Sequence, residues 1–301
     1  MLARLQRFTT IGGVVLALAW ALVFGLRGSP GWAAAGALII VFGYALVLAL
    51  EFCLLYRAAR AEPLRASAIQ LLRAWAGEVS YAPRVFCWRQ PFKANAEPDH
   101  LPPNVSAGRL GIVFVHGFVC NRALWNPWLP RLRAAGVPFV AVNLEPVFGS
   151  IDDYVPIVDD AVVRLQQATG RPPLIVAHSM GGLATRAWLQ ARQADERVHS
   201  VVTIGTPHHG TWLARFAFSI NGRQMRLKGA WVSALAQRES ASRYARFTCF
   251  YGHCDNIAFP PSTGTLPGAD NRHLRGTAHV HMSAHDEVVE EVWRRVAAAS
   301  G

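Results

Sequence analysis

The chain has 301 residues, of which 52% are hydrophobic, and its formal net charge is +11. This length and composition suit one large α/β domain together with a membrane segment. Dispersed arginines carry nearly all of the charge, without a basic run, a zinc-ligand spacing or a phosphate loop, which argues against a nucleic-acid partner. Attraction to anionic lipid head groups explains the charge better. The five cysteines have no framework or metal spacing, as in a reducing compartment.

Two uncharged apolar runs begin the chain, at about 8–26 and 28–50. At about 1.5 Å per residue each can cross a hydrocarbon core of ~30 Å, and the link between them is short enough to be only a hairpin turn. The sequence therefore predicts a membrane anchor over 1–56, made of two transmembrane helices. The alternative is a cleaved signal peptide with the three alanines at 33–35 as its cleavage site. In that case the second run would still anchor the chain.

Arginines flank both ends of this predicted hairpin, whereas Arg27 alone lies in its turn. Cytoplasmic segments near membrane helices carry an excess of Lys and Arg. We therefore expect a bacterial-type inner-membrane protein whose catalytic domain faces the cytoplasm. The flanking residues are Arg4, Arg7, Arg57, Arg60, Arg65 and Arg73.

The segment 57–104 connects the anchor to the rest of the chain. Residues 57–82 have the pattern of an amphipathic helix, with Ile69, Leu72 and Trp75 near helical spacing. The stretch 97–104 is rich in proline and reads as a linker, so we expect the catalytic domain to span 105–301.

Strand and helix patterns alternate in this domain, which predicts an α/β fold with a mostly parallel sheet covered by helices on both faces. Helix 150–170 has a capping-box pair, Ser150 and Asp153, and ends at Gly170. The predicted strands are 110–116, 138–144, 174–179, 198–207 and 246–255. The predicted helices are 123–136, 150–170, one from about 181 and one from about 286.

The stretch LIVAHSMGGL (174–183) places Ser179 between a buried strand and a helix. Only a sharp turn fits there, and such a strained strand-to-helix turn exposes a nucleophilic serine hydroxyl. Small residues two before and two after the serine, Ala177 and Gly181, permit the turn.

A serine needs a base to take its proton and an acid to orient that base. The acid should end a strand about two elements after the serine; Asp255 does so, and Asp270 in a turn-like segment is its competitor. The segment 276–285 offers His279, His281 and His285 as the base. His279 follows a glycine turn, whereas His285 abuts the last helix. A metal site that combines His279 and His281 with His208 and His209 is disfavoured, because no carboxylate or cysteine joins them at ligand spacing.

The chain from about 109 to 299 resembles the α/β-hydrolase superfamily, and closely the bacterial triacylglycerol lipases and esterases. The resemblance rests on FVHGF (114–118), AHSMGGL (177–183), IGTPHHGT (204–211) and the segment from 266 onward. It implies the α/β-hydrolase fold, with Ser179 as nucleophile, Asp255 as acid and His279 as base. It also implies that the backbone N–H groups of Phe118 and Met180 form the oxyanion hole.

The resemblance further implies that His116, Gly117 and His178 lie beside the substrate. Alanine replaces the usual glycine of the family motifs at Ala177 and Ala278. Some related lipases bind structural calcium just after the histidine, where Val280 and His281 stand here, so we expect no metal and no cofactor.

A last open question concerns 211–245, which lies between the strand at 198–207 and that of the acid. Trp212, Phe216 and Ile220 recur every four residues, which predicts a helix over 211–220. It is either a core helix or a mobile lid over an acyl site, in which Trp212 and Phe216 would contact substrate.

Together these features predict a membrane-anchored serine hydrolase that acts on carboxylic esters of lipid or acyl type through an acyl-enzyme. The same triad also serves acyltransferases, thioesterases and amidases, because it does not determine the acceptor. A catalytically silent, membrane-anchored scaffold is the alternative of a different class. The sequence leaves the oligomeric state open.

Overall fold

The computed structural model describes residues 1–102 and 108–299. The apolar N-terminal runs form helices α1 (Leu2–Leu26), α2 (Pro30–Phe42) and α3 (Tyr44–Ala58). Within the described residues, α1 alone is long and apolar enough to cross a membrane, while α2 and α3 qualify only when counted as one span bent by 53°. The second predicted span, 28–50, is therefore not one straight helix.

The bend lies at Gly43, a residue type that weakens helix interiors. Beyond it, α3 turns onto the rest of the protein and buries Phe52 and Leu55 there. The hydroxyl of Tyr44 also donates a hydrogen bond to the carbonyl of Val79. The chain bends because the second half of the run packs against protein.

Helix α4 (Ala68–Pro83) begins later than the predicted start at 57, with a capping box at Ser67. Of the residues named for its apolar face, Ile69 and Leu72 are exposed, whereas Trp75 packs against the apolar cluster that contains Phe52. Helix α4 continues into the π-helical segment Arg84–Arg89 and the short helix α5 (Gln90–Phe92). The predicted start of the catalytic domain at 105 lies outside the described residues.

Six parallel strands form one sheet in the order β2-β1-β3-β4-β5-β6, which confirms the predicted parallel sheet. The sequence did not predict β6, an edge strand whose first two residues are exposed and polar. The strands are β1 (Ile112–Val115), β2 (Phe139–Ala141), β3 (Leu174–His178), β4 (Ser200–Ile204), β5 (Phe247–Gly252) and β6 (Asp270–Leu274).

Helices cover both faces of this sheet, and the side chains of β1 alternate between two apolar cores. Val113 and Val115 face the core shared with helices α7 (Val155–Thr169) and α8 (Met180–Arg192), whereas Ile112 and Phe114 face the core shared with α6 (Leu129–Ala134) and α12 (Asp286–Ala298). The helices after β1 are α6 (Leu129–Ala134), α7 (Val155–Thr169), α8 (Met180–Arg192), α9 (Ile220–Gln224), α10 (Ala230–Gln237), α11 (Ala241–Tyr244) and α12 (Asp286–Ala298).

The predicted helix 150–170 divides into a 3-10 turn, Ile151–Tyr154, and α7. The capping box of Ser150 with Asp153 and the left-handed cap at Gly170 are both present. Predicted helix 123–136 is reduced to a 3-10 turn, Arg122–Trp125, and α6, because the proline at 130 begins a new helix.

Candidate active site

Ser179 lies in the sharp turn between β3 and α8 with a φ of 55°, a strained value for a residue other than glycine. Its N–H donates to the carbonyl of Ile204 at 2.8 Å, which ties the turn to β4. A Cβ on Gly181 would stand 2.4 Å from the carbonyl oxygen of Val115, and one on Gly182 would stand 2.2 Å from the hydroxyl of Thr206. The turn therefore requires both glycines.

The loop after β1 lies directly against this serine. A Cβ on Gly117 would stand 2.7 Å from the Cβ of Ser179, so only glycine permits this approach. The ring of His116 is buried and bridges two backbone groups: Nδ1 donates to the Gly117 carbonyl at 2.9 Å, and Nε2 accepts from the N–H of Leu144 at 3.0 Å. Burial lowers the pKa of His116 to about 4. Its ring orients the loop and has no free nitrogen for the predicted substrate contact.

Asp255 and His279 form a buried hydrogen-bonded pair at the carboxyl ends of β5 and β6. The Nδ1 of His279 lies 2.9 Å from each carboxylate oxygen of Asp255. Oδ1 of Asp255 also accepts from the N–H groups of Ile257 and Ala258, which orients the carboxylate. Burial opposes the charged imidazolium, but the charge and hydrogen bond of Asp255 outweigh it, so the pKa of His279 is raised.

His178 connects the serine turn to the histidine. Its Nε2 donates to the carbonyl of His279 at 3.0 Å, and the two rings are 4.7 Å apart. Burial and the neighbouring His279 lower the pKa of His178 to about 3, so its ring is neutral. Within the described residues, no hydrogen bond joins the Ser179 hydroxyl to His279. Such contacts are often long without substrate and tighten when it binds.

The competing candidates lie elsewhere. The ring of His281 stacks on Tyr81 at 4.9 Å, and His285 occupies the N-cap position of α12. Asp270 pairs with Arg272 at the outer strand. In the part of the chain that the structure describes, no group of three His, Cys, Asp or Glu residues is arranged to hold a metal ion.

The predicted helix over 211–220 is wrong. Trp212–Phe216 is a 3-10 turn, and α9 begins only at Ile220. Trp212 stacks on Phe259 at 5.9 Å and packs into an apolar cluster with Phe52 of α3. The ring of Phe216 meets that of Trp212 edge-on at 5.7 Å, but Phe216 is 56% exposed, so only Trp212 packs into the apolar cluster.

Two buried ionic features near the site were missed. Glu78 lies on the buried face of α4 with Leu71 and Ala74, at helical spacing that could have revealed it. Arg186 of α8 pairs with Glu239, both with fully buried side chains, and also donates to a backbone carbonyl in the loop after β4. No local pattern joins residues so far apart.

Residues 112–301 match the model of the alpha/beta hydrolase family. This chain belongs to that family. The match begins at β1, so helices α1 to α5 of this hydrolase precede the family domain. The predicted α/β-hydrolase fold is confirmed.

Two lipases are among the solved structures that this hydrolase resembles. Mature lipase BlEst2 of Bacillus licheniformis aligns with a TM-score of 0.57 and 18% identity, over 65% of this chain and 95% of that one. Lipase B of Aspergillus fumigatus aligns with a TM-score of 0.51 and 20% identity, over 58% of this chain and 47% of that one. At these identities the likeness shows the fold. No curated protein matches the chain.

Proposed function

We propose that this hydrolase cleaves carboxylic esters with Ser179 as nucleophile, His279 as base and Asp255 as the acid that orients the base. The hydrogen-bonded pair of Asp255 and His279 carries the proposal, because it lies at the same sheet edge as the strained serine. Ligands of parallel α/β sheets bind at the carboxyl ends of the strands.

In the proposed reaction, Oγ of Ser179 attacks the ester carbonyl carbon while Nε2 of His279 accepts the hydroxyl proton. The N–H groups of Phe118 and Met180 would donate to the oxyanion, and two such donors contribute roughly 3 kcal/mol each. His279 then returns the proton to the leaving alcohol. Water activated by the same histidine hydrolyses the acyl-enzyme.

An exposed apolar rim beside the site supports lipid or acyl esters as substrates. The ring of Phe118 contacts that of Phe148 at 5.9 Å, and the N–H of Asn221 in α9 donates to the carbonyl of Gly149. Exposed apolar patches of this kind serve as binding surfaces. We define the apolar rim as Phe118, Phe148, Phe216, Phe218 and Ile220, of which the last four are exposed.

We also propose that α1, with the chain returning through α2 and α3, anchors the enzyme in a membrane with the catalytic domain on the cytoplasmic side. The helix has 25 residues, and only 6% of its most apolar 18-residue stretch is buried. Arginines on both sides of the predicted hairpin support this orientation. A membrane-lipid substrate would then lie next to the anchored enzyme.

The test is an ester panel of graded acyl length together with labelling by a fluorophosphonate, which reacts with activated serines. Ser179→Ala should lower kcat by about 10⁴-fold or more and abolish labelling, as loss of a triad serine does elsewhere. Ser242→Ala removes an exposed hydroxyl remote from the site and should behave as the wild type. Near-normal turnover by Ser179→Ala would overturn the assignment, and a wild type that neither labels nor turns over would support a scaffold.

A further inference from the structure

Three consecutive backbone N–H groups at the histidine have acceptors on side chains. The N–H of His279 donates to Oδ1 of Asn256 at 3.2 Å. The N–H groups of Val280 and His281 donate to the two carboxylate oxygens of Glu78, at 3.0 and 3.1 Å. These bonds determine where the backbone that carries the imidazole lies.

Two glutamates of the N-terminal helices support these hydrogen bonds, Glu78 directly and Glu51 through Asn256. Glu78 lies on α4 and is 1% exposed. Glu51 on α3 accepts from Nδ2 of Asn256 at 2.7 Å. That bond sets the orientation of the amide, since it turns Oδ1 of Asn256 toward the N–H of His279. Neither glutamate lies within residues 112–301, which match the family.

Side-chain packing at the same place adds to the contact between the N-terminal helices and the catalytic domain. Tyr81 of α4 stacks on His281, and a Cβ on Gly77 would stand 3.2 Å from Nδ1 of that ring. Ala278, which replaces a glycine of the family motif, is buried in a cluster with Phe52 and Leu55 of α3. Its extra methyl group therefore packs toward the N-terminal helices.

A buried carboxylate is costly unless its oxygens are hydrogen-bonded. Burial raises the pKa of Glu78 by more than its two backbone hydrogen bonds and the nearby His279 lower it. Burial also raises the pKa of Glu51, to about 7. Asp255 is hydrogen-bonded to the imidazole, and the charged forms of Asp255, Glu78 and Glu51 all favour the charged ring. A group that served only to join two parts of the chain would not need to lie beside the base.

We infer that Glu51 and Glu78 are positioning residues that hold the backbone of His279 in its reactive place, so that the N-terminal helices complete the active site. The inference rests on the proposed function of His279 as the base. Misplacement of a reacting group by about 1 Å can cost about 10²-fold in rate, so loss of these bonds should reduce turnover without changing substrate affinity.

The first test uses the full chain in detergent and a soluble short-chain ester. Glu78→Gln preserves shape but can accept only one of the two backbone hydrogen bonds. It should lower kcat about 10-fold or more, and slow fluorophosphonate labelling to match, with KM unchanged. The matched control is Glu62→Gln, since Glu62 also joins the N-terminal part to the catalytic domain but through an exposed hydrogen bond to Ser262. It should retain the wild-type kcat.

The second test uses Glu51. Glu51→Gln keeps an oxygen that accepts from Asn256 and should retain most of the wild-type kcat. Glu51→Leu has no acceptor and should lower kcat with KM unchanged. This pair decides the question if Glu78→Gln fails to fold, because rescue by glutamine distinguishes a lost hydrogen bond from general damage.

The outcomes separate the inference from the proposed function. An active, labelled wild type with unchanged kcat in Glu78→Gln and Glu51→Leu would overturn the inference and leave the proposed function standing. A rise in KM with constant kcat would also overturn it. A wild type that shows neither labelling nor turnover would overturn both the inference and the proposed function.

Discussion

His279 and His281 are two residues apart, but their surroundings differ. His279 is paired with Asp255, whereas His281 stacks on Tyr81 away from the carboxylate. We expect His279→Ala to abolish turnover and fluorophosphonate labelling, because the base that Asp255 orients is lost. His281→Ala should retain most of both activities and serves as the matched control. If His281→Ala were the inactive variant, the assignment of the base would be wrong by two residues.

The same pairing predicts the pH dependence of the enzyme. The pKa of His279 is raised above its ordinary value of 6.5, and only the neutral ring can accept a proton. The value of kcat/KM should therefore fall with decreasing pH along a limb whose midpoint lies above pH 6.5. Burial lowers the pKa of His116 to about 4 and that of His178 to about 3, so neither contributes to this limb.

A pH series of kcat/KM on a soluble ester measures the midpoint. The His281→Ala variant should give the same limb as the wild type. A midpoint at or below pH 6.5 would contradict the raised pKa of His279, and with it the role of Asp255 as its charged partner.

Among the elements around the site, the segment 212–220 combines two environments. Trp212 is packed against Phe259, while Phe216 and Phe218 are exposed, the latter by 92%. Replacing Trp212 by Ser should lower the free energy of unfolding by about 2 kcal/mol or more, because a packed aromatic ring is lost. Denaturant unfolding measures this loss.

Replacing the exposed Phe216 and Phe218 should instead affect activity toward lipid esters more than stability. In Phe216→Ser with Phe218→Ser, the free energy of unfolding should fall by no more than about 1 kcal/mol, because only the edge-on contact of Phe216 with Trp212 is lost. Activity toward vesicle-borne esters should fall, since apolar contact area is lost, while that toward soluble short esters stays. Ile69→Ser, which changes an exposed apolar residue on α4, is the control. Equal loss of both activities in the double variant would exclude the apolar rim as a lipid contact.

In the molecule as a whole, the N-terminal helices are attached to the catalytic domain at several points. Gln6 of α1 donates to the carbonyl of Val119, in the loop that follows the predicted oxyanion hole, and Glu78 of α4 accepts from the N–H of Val280. Within the N-terminal part, Gln6 and Arg7 of α1 also donate to Gln90 and Pro91 of α5. If α1 lies in a membrane, these contacts would hold the active site at a defined position relative to that membrane.

The proposed topology can be tested with single cysteines in a background without the exposed Cys53 and Cys87. A membrane-impermeant thiol reagent added to intact cells should label Ser29→Cys in the turn and leave Ala191→Cys on the catalytic domain unlabelled. Both should react after the membrane is permeabilised. Labelling of Ala191→Cys alone in intact cells would place the enzyme on the outer side and favour the signal-peptide alternative.

Much of the fold was predictable because its signals are local. Buried apolar runs mark the inner strands of the sheet, and a capping box and a glycine mark the ends of the segment 150–170. The turn at Ser179 was predictable for the same reason, since it depends on neighbours such as Gly181. The roles of Ser179, Asp255 and His279 remain predictions, although the structure brings the last two into hydrogen-bond contact.

The features that no sequence pattern predicted depend on contacts between distant parts of the chain. Glu78 accepts from a backbone N–H 202 residues away, and Glu51 accepts from the side-chain amide of a residue 205 positions away. The bend at Gly43 and the packing of Trp212 into the cluster with Phe52 both involve the docking of α3. Helical and strand periodicity report which face of an element is apolar, but not which element covers it. Folding brings these partners together because burying both surfaces removes apolar area from water.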